Sequence, residues 1–220
     1  CTLQGEDSFL EGLGEPYRRQ SLELIRAGIE YVDAFLPVSE YYAGFMSRYL
    51  GLPADKVHVV PIGINPEGFR GRRRAPPANF TIGYLARVAP EKGLDVLCRA
   101  YRLLRQEKGL PVSRLEVAGY LGPRYRAYLD QIERQMKGWG LGDEFHYRGV
   151  LSREEKIGFL EGLDVFSVPC VWEEPKGMFL LEAMAAGVPA VEPRRGALPE
   201  IIGRTGGGIV VEPGEESLAE

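Results

Sequence analysis

The sequence is short of the groups that carry metal, disulfide or membrane chemistry. Of its 220 residues only three are cysteine and two histidine. Cys1, Cys98 and Cys170 are widely spaced and odd in number, which excludes a disulfide framework and fits free thiols in a reducing, cytoplasmic setting. His58 and His146 stand far apart, in no metal-ligand spacing. Basic residues are not in excess: 27 Lys and Arg against 31 Asp and Glu leave a formal charge of −4. That balance excludes the strongly basic footprint of a phosphate-backbone reader, so no nucleic-acid partner is expected. Long apolar runs are missing as well. The longest, Met178 to Val191, is broken by Glu182 and falls short of the roughly 18 residues that suggest a membrane span. A G-x-G-x-x-G turn and a Walker pattern are both absent, which removes the usual supports for NAD and ATP.

What remains is an ordinary globular composition, 45% hydrophobic and 26% charged, which excludes disorder, collagen and a disulfide scaffold. The chain opens on Cys1. It closes on Ser217-Leu218-Ala219-Glu220, whose Ser and Glu have the spacing of a helix-opening capping box. Both ends lead us to expect a fragment.

Apolar residues recur at three- and four-residue intervals over 17–33, predicting an amphipathic helix. Strand-like runs are expected at 34–38 and 57–61. Between them Ser39 can cap a helix that Gly51 and Pro53 end. Residues 64–79 are rich in Gly, Pro and Arg without apolar period, and read as an interdomain linker. Its cluster Arg70, Arg72, Arg73 and Arg74 reads as a solvated face, with contact to an anionic membrane as the alternative.

From Phe80 the pattern turns regular. Strands are predicted at 80–85, 115–118, 145–147, 165–168, 190–192 and 209–211. Helices are predicted at 93–108, 123–138, 153–162 and 179–186, with a short turn at 198–202; Ser152 and Glu155 form a capping box for the third. Strands alternating with helices of this length are parallel crossovers. The expected fold is therefore α/β, a Rossmann-like doubly wound domain over 80–220, which binds ligands at the carboxyl ends of its strands.

Two segments carry chemistry. In "YLARVAPEKG" (84–93), Arg87 and Lys92 sit on a strand-to-helix turn, where a doubly wound fold takes anions; the plain alternative is two solvated loop charges. In "WEEPKGMFLLEAMAAGVPAV" (172–191), Leu180 to Ala186 form a helix apolar nearly all round, with Glu182 in its middle. A carboxylate there needs a partner, either a polar cavity or a neighbouring helix. Glu174 precedes it on a loop that Pro175 and Gly177 keep out of helix. Both carboxylates and the N–H groups of Gly177, Met178 and Phe179 are thereby expected around one helix N-terminus, a lining suited to a polyol phosphate. Tyr120, Tyr125, Tyr128 and Trp139 have helical spacing and read as packing rather than a sugar platform.

The blocks "VSEYYAGFMSRYLGLPADKVHVVPIGIN", "IGYLARVAPEKGLDVL", "LEVAGY", "FHYRGVLSREEKIGFLEGLDVFSVP", "EEPKGMFLLEAMAAGVPAV" and "GALPEII…GGGIVVEPG", in this order, make the chain resemble the retaining glycosyltransferases of family four, which have the GT-B fold. The resemblance implies transfer of a hexosyl group from a UDP-, GDP- or ADP-sugar to a hydroxyl acceptor, which could be a sugar, a lipid or a small molecule. It implies that 1–63 are the tail of the acceptor-side domain and 80–220 most of the donor domain, so that this piece alone would be inactive. Arg87 and Lys92 would contact the donor diphosphate. Glu174 would lie near the donor-sugar hydroxyls and Glu182 would accept the ribose hydroxyls. Gly177, Met178, Phe179 and Leu180 would hold sugar and phosphate oxygens, and Arg148, Gly149 and Val150 would border the base. No D-x-D metal signature is present, so the two cations would stand in for a divalent ion and no cofactor is expected. Lys176 and Ile62 depart from the family pattern, which usually has an aromatic residue and an Asn there. A sugar-nucleotide epimerase of the same fold and a non-catalytic nucleotide-sugar module are the other readings.

Overall fold

The structure, a computed structural model, describes residues 1–69 and 79–220. The Arg70, Arg72, Arg73 and Arg74 cluster and most of the predicted linker lie outside the described residues. The first segment contains β1 (Thr2–Leu3), α1 (Asp7–Glu11), α2 (Tyr17–Gly28), β2 (Leu36–Pro37) and α3 (Glu40–Leu50). β1 and β2 pair in parallel. The helix predicted over 17–33 ends at Gly28 and continues as a 3-10 turn over Ile29–Tyr31. The strand expected at 57–61 is reduced to an isolated bridge between Phe35 and Val57, because Pro37 of β2 has no N–H to donate to the next pair, although its carbonyl still accepts the Val60 N–H at 2.9 Å. Ser39 caps α3 as expected, accepting the Tyr42 N–H at 3.1 Å, and Gly51 closes it in the left-handed region at φ 76°. Leu3, Leu10, Leu22, Phe35, Tyr42, Met46, Leu50 and Leu52 form the core of this segment.

The second segment contains β3 (Phe80–Leu85), α4 (Leu94–Gln106), β4 (Ser113–Ala118), α5 (Arg126–Gly138), β5 (Phe145–Tyr147), α6 (Arg153–Glu161), β6 (Val165–Phe166), α7 (Met178–Ala185), β7 (Ala190–Pro193), α8 (Leu198–Thr205), β8 (Gly208–Val211) and α9 (Glu215–Leu218). Ser152 and Glu155 make the predicted capping box. Ser217, expected to open a helix, instead lies inside α9, whose N-cap is Gly214.

The six strands run in parallel in the order β5-β4-β3-β6-β7-β8. Strand order reverses between β3 and β6, which is the topological switch point. Right-handed crossovers place α4 and α5 on one face and α6, α7 and α8 on the other. Tyr84, Leu115, Phe166, Leu94, Tyr101, Ile132, Met136 and Leu180 pack in the core between these layers. Among the described residues no helix is long and apolar enough to cross a membrane.

Candidate functional site

A doubly wound sheet leaves a crevice at its switch point, because the loops after the two central strands lead to opposite faces. Here those loops follow β3 (residues 86–93) and β6 (167–177), and glycine lets them meet. Gly93 has φ +69°, and a Cβ there would lie 2.0 Å from the Pro169 carbonyl oxygen. Gly196, at φ +54°, lets the loop after β7 close from beneath, since a Cβ there would meet the Glu174 carbonyl oxygen at 2.2 Å. The Ala197 N–H then bonds that carbonyl at 2.7 Å.

The crevice opens into a cavity of about 500 Å³ lined by Arg87, Lys92 and Glu174 among others. Lys92 and Glu174 form an ion pair, with side chains only 17% and 8% exposed. One Glu174 oxygen also accepts the N–H groups of Lys176 and Gly177, both at 3.1 Å. The other oxygen, which meets Lys92, also accepts a weak S–H contact from Cys170 at 3.9 Å, so the four or so lone-pair positions of the carboxylate are all in use. Burial alone would raise its pKa, but the Lys92 charge and the two N–H bonds outweigh it and hold Glu174 below the usual carboxylate range. Burial equally disfavours the Lys92 ammonium, yet Cys170 and Glu174 beside it keep Lys92 above its ordinary value. The ammonium lies 5.5 Å from the centre of the Phe179 ring. Two of its three N–H groups remain for a ligand.

The Arg87 side chain is 55% exposed and, among the described residues, its one ion pair is with Glu91 on its own turn, at 3.2 Å. Glu173, the neighbour of Glu174, also lines the cavity and pairs with Arg195 at 3.0 Å. The N–H groups of Met178 and Phe179 at the start of α7 have no acceptor among the described residues, so that helix end presents two free donors and the positive end of its dipole.

Other expected residues lie apart from this group. Glu182 is ion-paired with Lys156 of α6, so the neighbouring-helix alternative describes its surroundings here, and it does not line the 500 Å³ cavity. The Leu180 side chain is fully buried in the core and its N–H is bonded to Gly177. Arg148 grips Glu116 through two bonds of 2.6 and 2.9 Å and lines a separate cavity of about 430 Å³. Gly149 bonds the end of β4 by accepting the Gly119 N–H at 2.8 Å, and Val150 is exposed.

The sequence reading missed one whole wall. Gln4, Gly5, Asp7 and Ser8, on the turn from β1 into α1, line the same cavity, as do Arg124, Tyr125 and Cys170. A two-residue strand leaves no periodic signal, so the loop that follows it was not legible. Glu192 was missed too. It is fully buried on β7, accepts the Val168 N–H at 3.1 Å and leaves Oε2 without a partner; burial pushes its pKa well above the carboxylate range.

Residues 67–220 match the family described as glycosyl transferases group 1. The chain belongs to this family. It is 30% identical over 93% of its length to WcaL of Escherichia coli K12, a glycosyltransferase by name in colanic acid biosynthesis, and covers 49% of that protein. Among solved structures, HepE of Anabaena in complex with UDP and glucose superposes with a TM-score of 0.77 at 18% identity, over 91% of this chain and 56% of that one. Sucrose-phosphate synthase of Thermosynechococcus elongatus gives 0.79 at 23% identity, over 99% of this chain and 56% of the other. The fold of this group 1 glycosyltransferase chain is thus of the GT-B type, and the chain spans about half the length of the relatives it matches.

Proposed function

We propose that the chain carries the donor site of a retaining glycosyltransferase that moves a hexosyl group from a nucleoside-diphosphate sugar to a hydroxyl acceptor. In this reading residues 80–220 are the donor domain and 1–63 belong to the acceptor side. The observation that carries it is the convergence of Arg87, Lys92 and Glu174 on one cavity at the switch point, with the free N–H groups of Met178 and Phe179 at the start of the helix that follows Glu174. As the bond from sugar C1 to the diphosphate breaks and a new one forms to the acceptor oxygen, negative charge grows on the departing phosphate, which also takes the acceptor's proton. Cations fixed in advance stabilise that charge without reorganising. Lys92 is fixed by Glu174, and a donor-sugar hydroxyl would reach Glu174 by displacing the weak Cys170 S–H contact. The nucleoside would extend toward Arg148, Gly149 and Val150, and Glu182 would reach the ribose by exchanging Lys156 for it.

Calorimetry of the chain with UDP, GDP and ADP tests the reading. One of the three is expected to bind, and Lys92→Ala to weaken it at least ten-fold. If none binds to the folded chain, the donor site is misassigned.

A further inference from the structure

The charges that line the switch-point cavity do not all cancel. Lys176 lines it and is half-buried, yet its one hydrogen bond among the described residues runs from its backbone N–H to Glu174. Its ammonium has no acceptor there. The carboxylates of the lining are already engaged: Glu91 with Arg87 at 3.2 Å, Glu173 with Arg195 at 3.0 Å, Glu174 with Lys92, and Asp7 with the Tyr42 hydroxyl at 2.7 Å. The other cation of the lining, Arg124, is exposed and lies over the Tyr125 ring at 4.5 Å. The backbone beside Lys176 does not offset its charge either. The next residue, Gly177, is the N-cap of α7, and the positive end of a helix dipole disfavours a cation next to it. One positive charge is thus held half out of water against the local field, and the anion it needs must come from a ligand.

Its place in the cavity says which part of a ligand would supply that anion. Pro175, the residue before it, abuts the first segment: its carbonyl accepts the Ser39 hydroxyl at 3.0 Å, and a Cβ on Gly5 would stand 3.4 Å from its ring. Lys176 therefore lies on the seam between Glu174 and the wall made by Gln4, Asp7 and Ser8. Arg87 and Lys92 come instead from the loop after β3. With a diphosphate on those two cations and a sugar against Glu174, Lys176 stands at the sugar end. A neutral hexose offers an ammonium only hydroxyls. A sugar oxidised at C6 offers one carboxylate, whose single negative charge matches the one unmatched ammonium in a charge-assisted hydrogen bond. Glu173 and Glu174, the nearest carboxylates in sequence, each have a basic partner and do not exclude that group.

We infer that Lys176 selects the donor sugar, and that the transferred unit is a hexuronic acid whose C6 carboxylate is held by the Lys176 ammonium. The inference rests on the donor reading above and narrows its hexosyl group to a hexuronosyl one.

The test is calorimetry on the 220-residue chain. The probes are UDP, GDP and ADP, each alone, joined to glucose, galactose or mannose, and joined to the matching uronic acid. With the nucleotide that binds, one uronic-acid conjugate is expected to bind at least ten-fold more tightly than its neutral counterpart, as a hydrogen bond between charged groups allows. Lys176→Met should erase that preference while changing affinity for the bare nucleotide less than two-fold, and Lys176→Arg should keep most of it. Because Lys176 has no partner to strand, Lys176→Met should melt no lower than the parent. Equal or weaker binding of every uronic-acid conjugate overturns the inference and leaves the donor reading standing. A parallel loss of bare-nucleotide affinity in Lys176→Met overturns it by placing the ammonium on the diphosphate, and a lower melting temperature overturns it by revealing a partner within the protein. If no nucleotide binds the folded chain, the donor reading fails and this inference falls with it.

Discussion

Replacing Lys92 by methionine separates what the Lys92 and Glu174 pair does for stability from what it does for ligand binding. Methionine keeps most of the side-chain volume and removes the charge, leaving a carboxylate that is 8% exposed with the two N–H bonds from Lys176 and Gly177 and a weak S–H contact from Cys170. Stranding one member of a buried pair costs about 3–5 kcal/mol, and the surviving N–H bonds put this case at about 3. For a chain of this size each kcal/mol lowers Tm by roughly 2–4 °C, so Lys92→Met should melt about 6–12 °C below the parent. Glu174→Gln in that background removes the stranded charge while the amide oxygen still accepts both N–H groups. The double variant is therefore expected to regain about 2 kcal/mol over Lys92→Met, a coupling typical of contacting residues. Scanning calorimetry of parent, both singles and the double measures this. Nucleotide affinity should behave differently, remaining low in the double, because the ammonium donors are gone. Additive stability losses would refute the pairing; recovery of nucleotide affinity in the double would refute a direct role for Lys92.

Three further outcomes follow from the same region. Gly196→Ala puts a Cβ 2.2 Å from the Glu174 carbonyl oxygen at φ +54°; overpacking and left-handed strain together should cost about 3 kcal/mol in urea unfolding, with weaker nucleotide binding. Glu192→Gln is expected to stabilise the chain at neutral pH. The raised pKa of Glu192 means the folded chain holds a proton that the unfolded chain releases above its ordinary value of 4.5, so stability falls as pH rises through that window; the gain from glutamine should shrink to nothing below pH 4.5, and a pH-independent gain in thermal scans would contradict it. Ser39→Ala removes the α3 cap and should cost about 1 kcal/mol, whereas Ser39→Thr should retain most of it, both read by Tm.

The doubly wound half was legible because its elements are long enough to show their period. The strands at 80–85 and 145–147 and the box at Ser152 and Glu155 have the predicted bounds, since alternation and capping are local properties. Arg87 and Lys92 on one turn and Glu174 on another were readable as separate candidates, and only the family resemblance joined them, because the strand order that brings the two loops to one switch point has no local mark in the sequence. Glu182 shows the limit: a lone carboxylate in an apolar helix states that it needs a partner, but Lys156 sits 26 residues away on another helix and carries no local mark of that role. Arg124 was hidden for the same reason. Helical spacing placed Tyr128 in packing, where its hydroxyl bonds Asp95 at 2.7 Å, but the same argument also assigned to packing Tyr120, which is 56% exposed, and Tyr125, which lines the cavity. Gln4 and Asp7 follow a strand too short to be seen.

The Ser39 hydroxyl serves two masters. It accepts the Tyr42 N–H inside its own helix and donates to the Pro175 carbonyl at 3.0 Å, in the loop that carries Glu174. Nearby, both oxygens of Glu200 on α8 accept the first N–H groups of α3, those of Glu40 and Tyr41, at 3.2 Å each. A helix end that would otherwise face water is thus closed by a side chain from the other half of the molecule. Swinging α3 away from α8 would strip both amides of their acceptor and release Pro175 in the same stroke. Opening the cleft and loosening the bed of Glu174 are consequently a single mechanical event, and a ligand that stiffens that bed also holds the two halves shut.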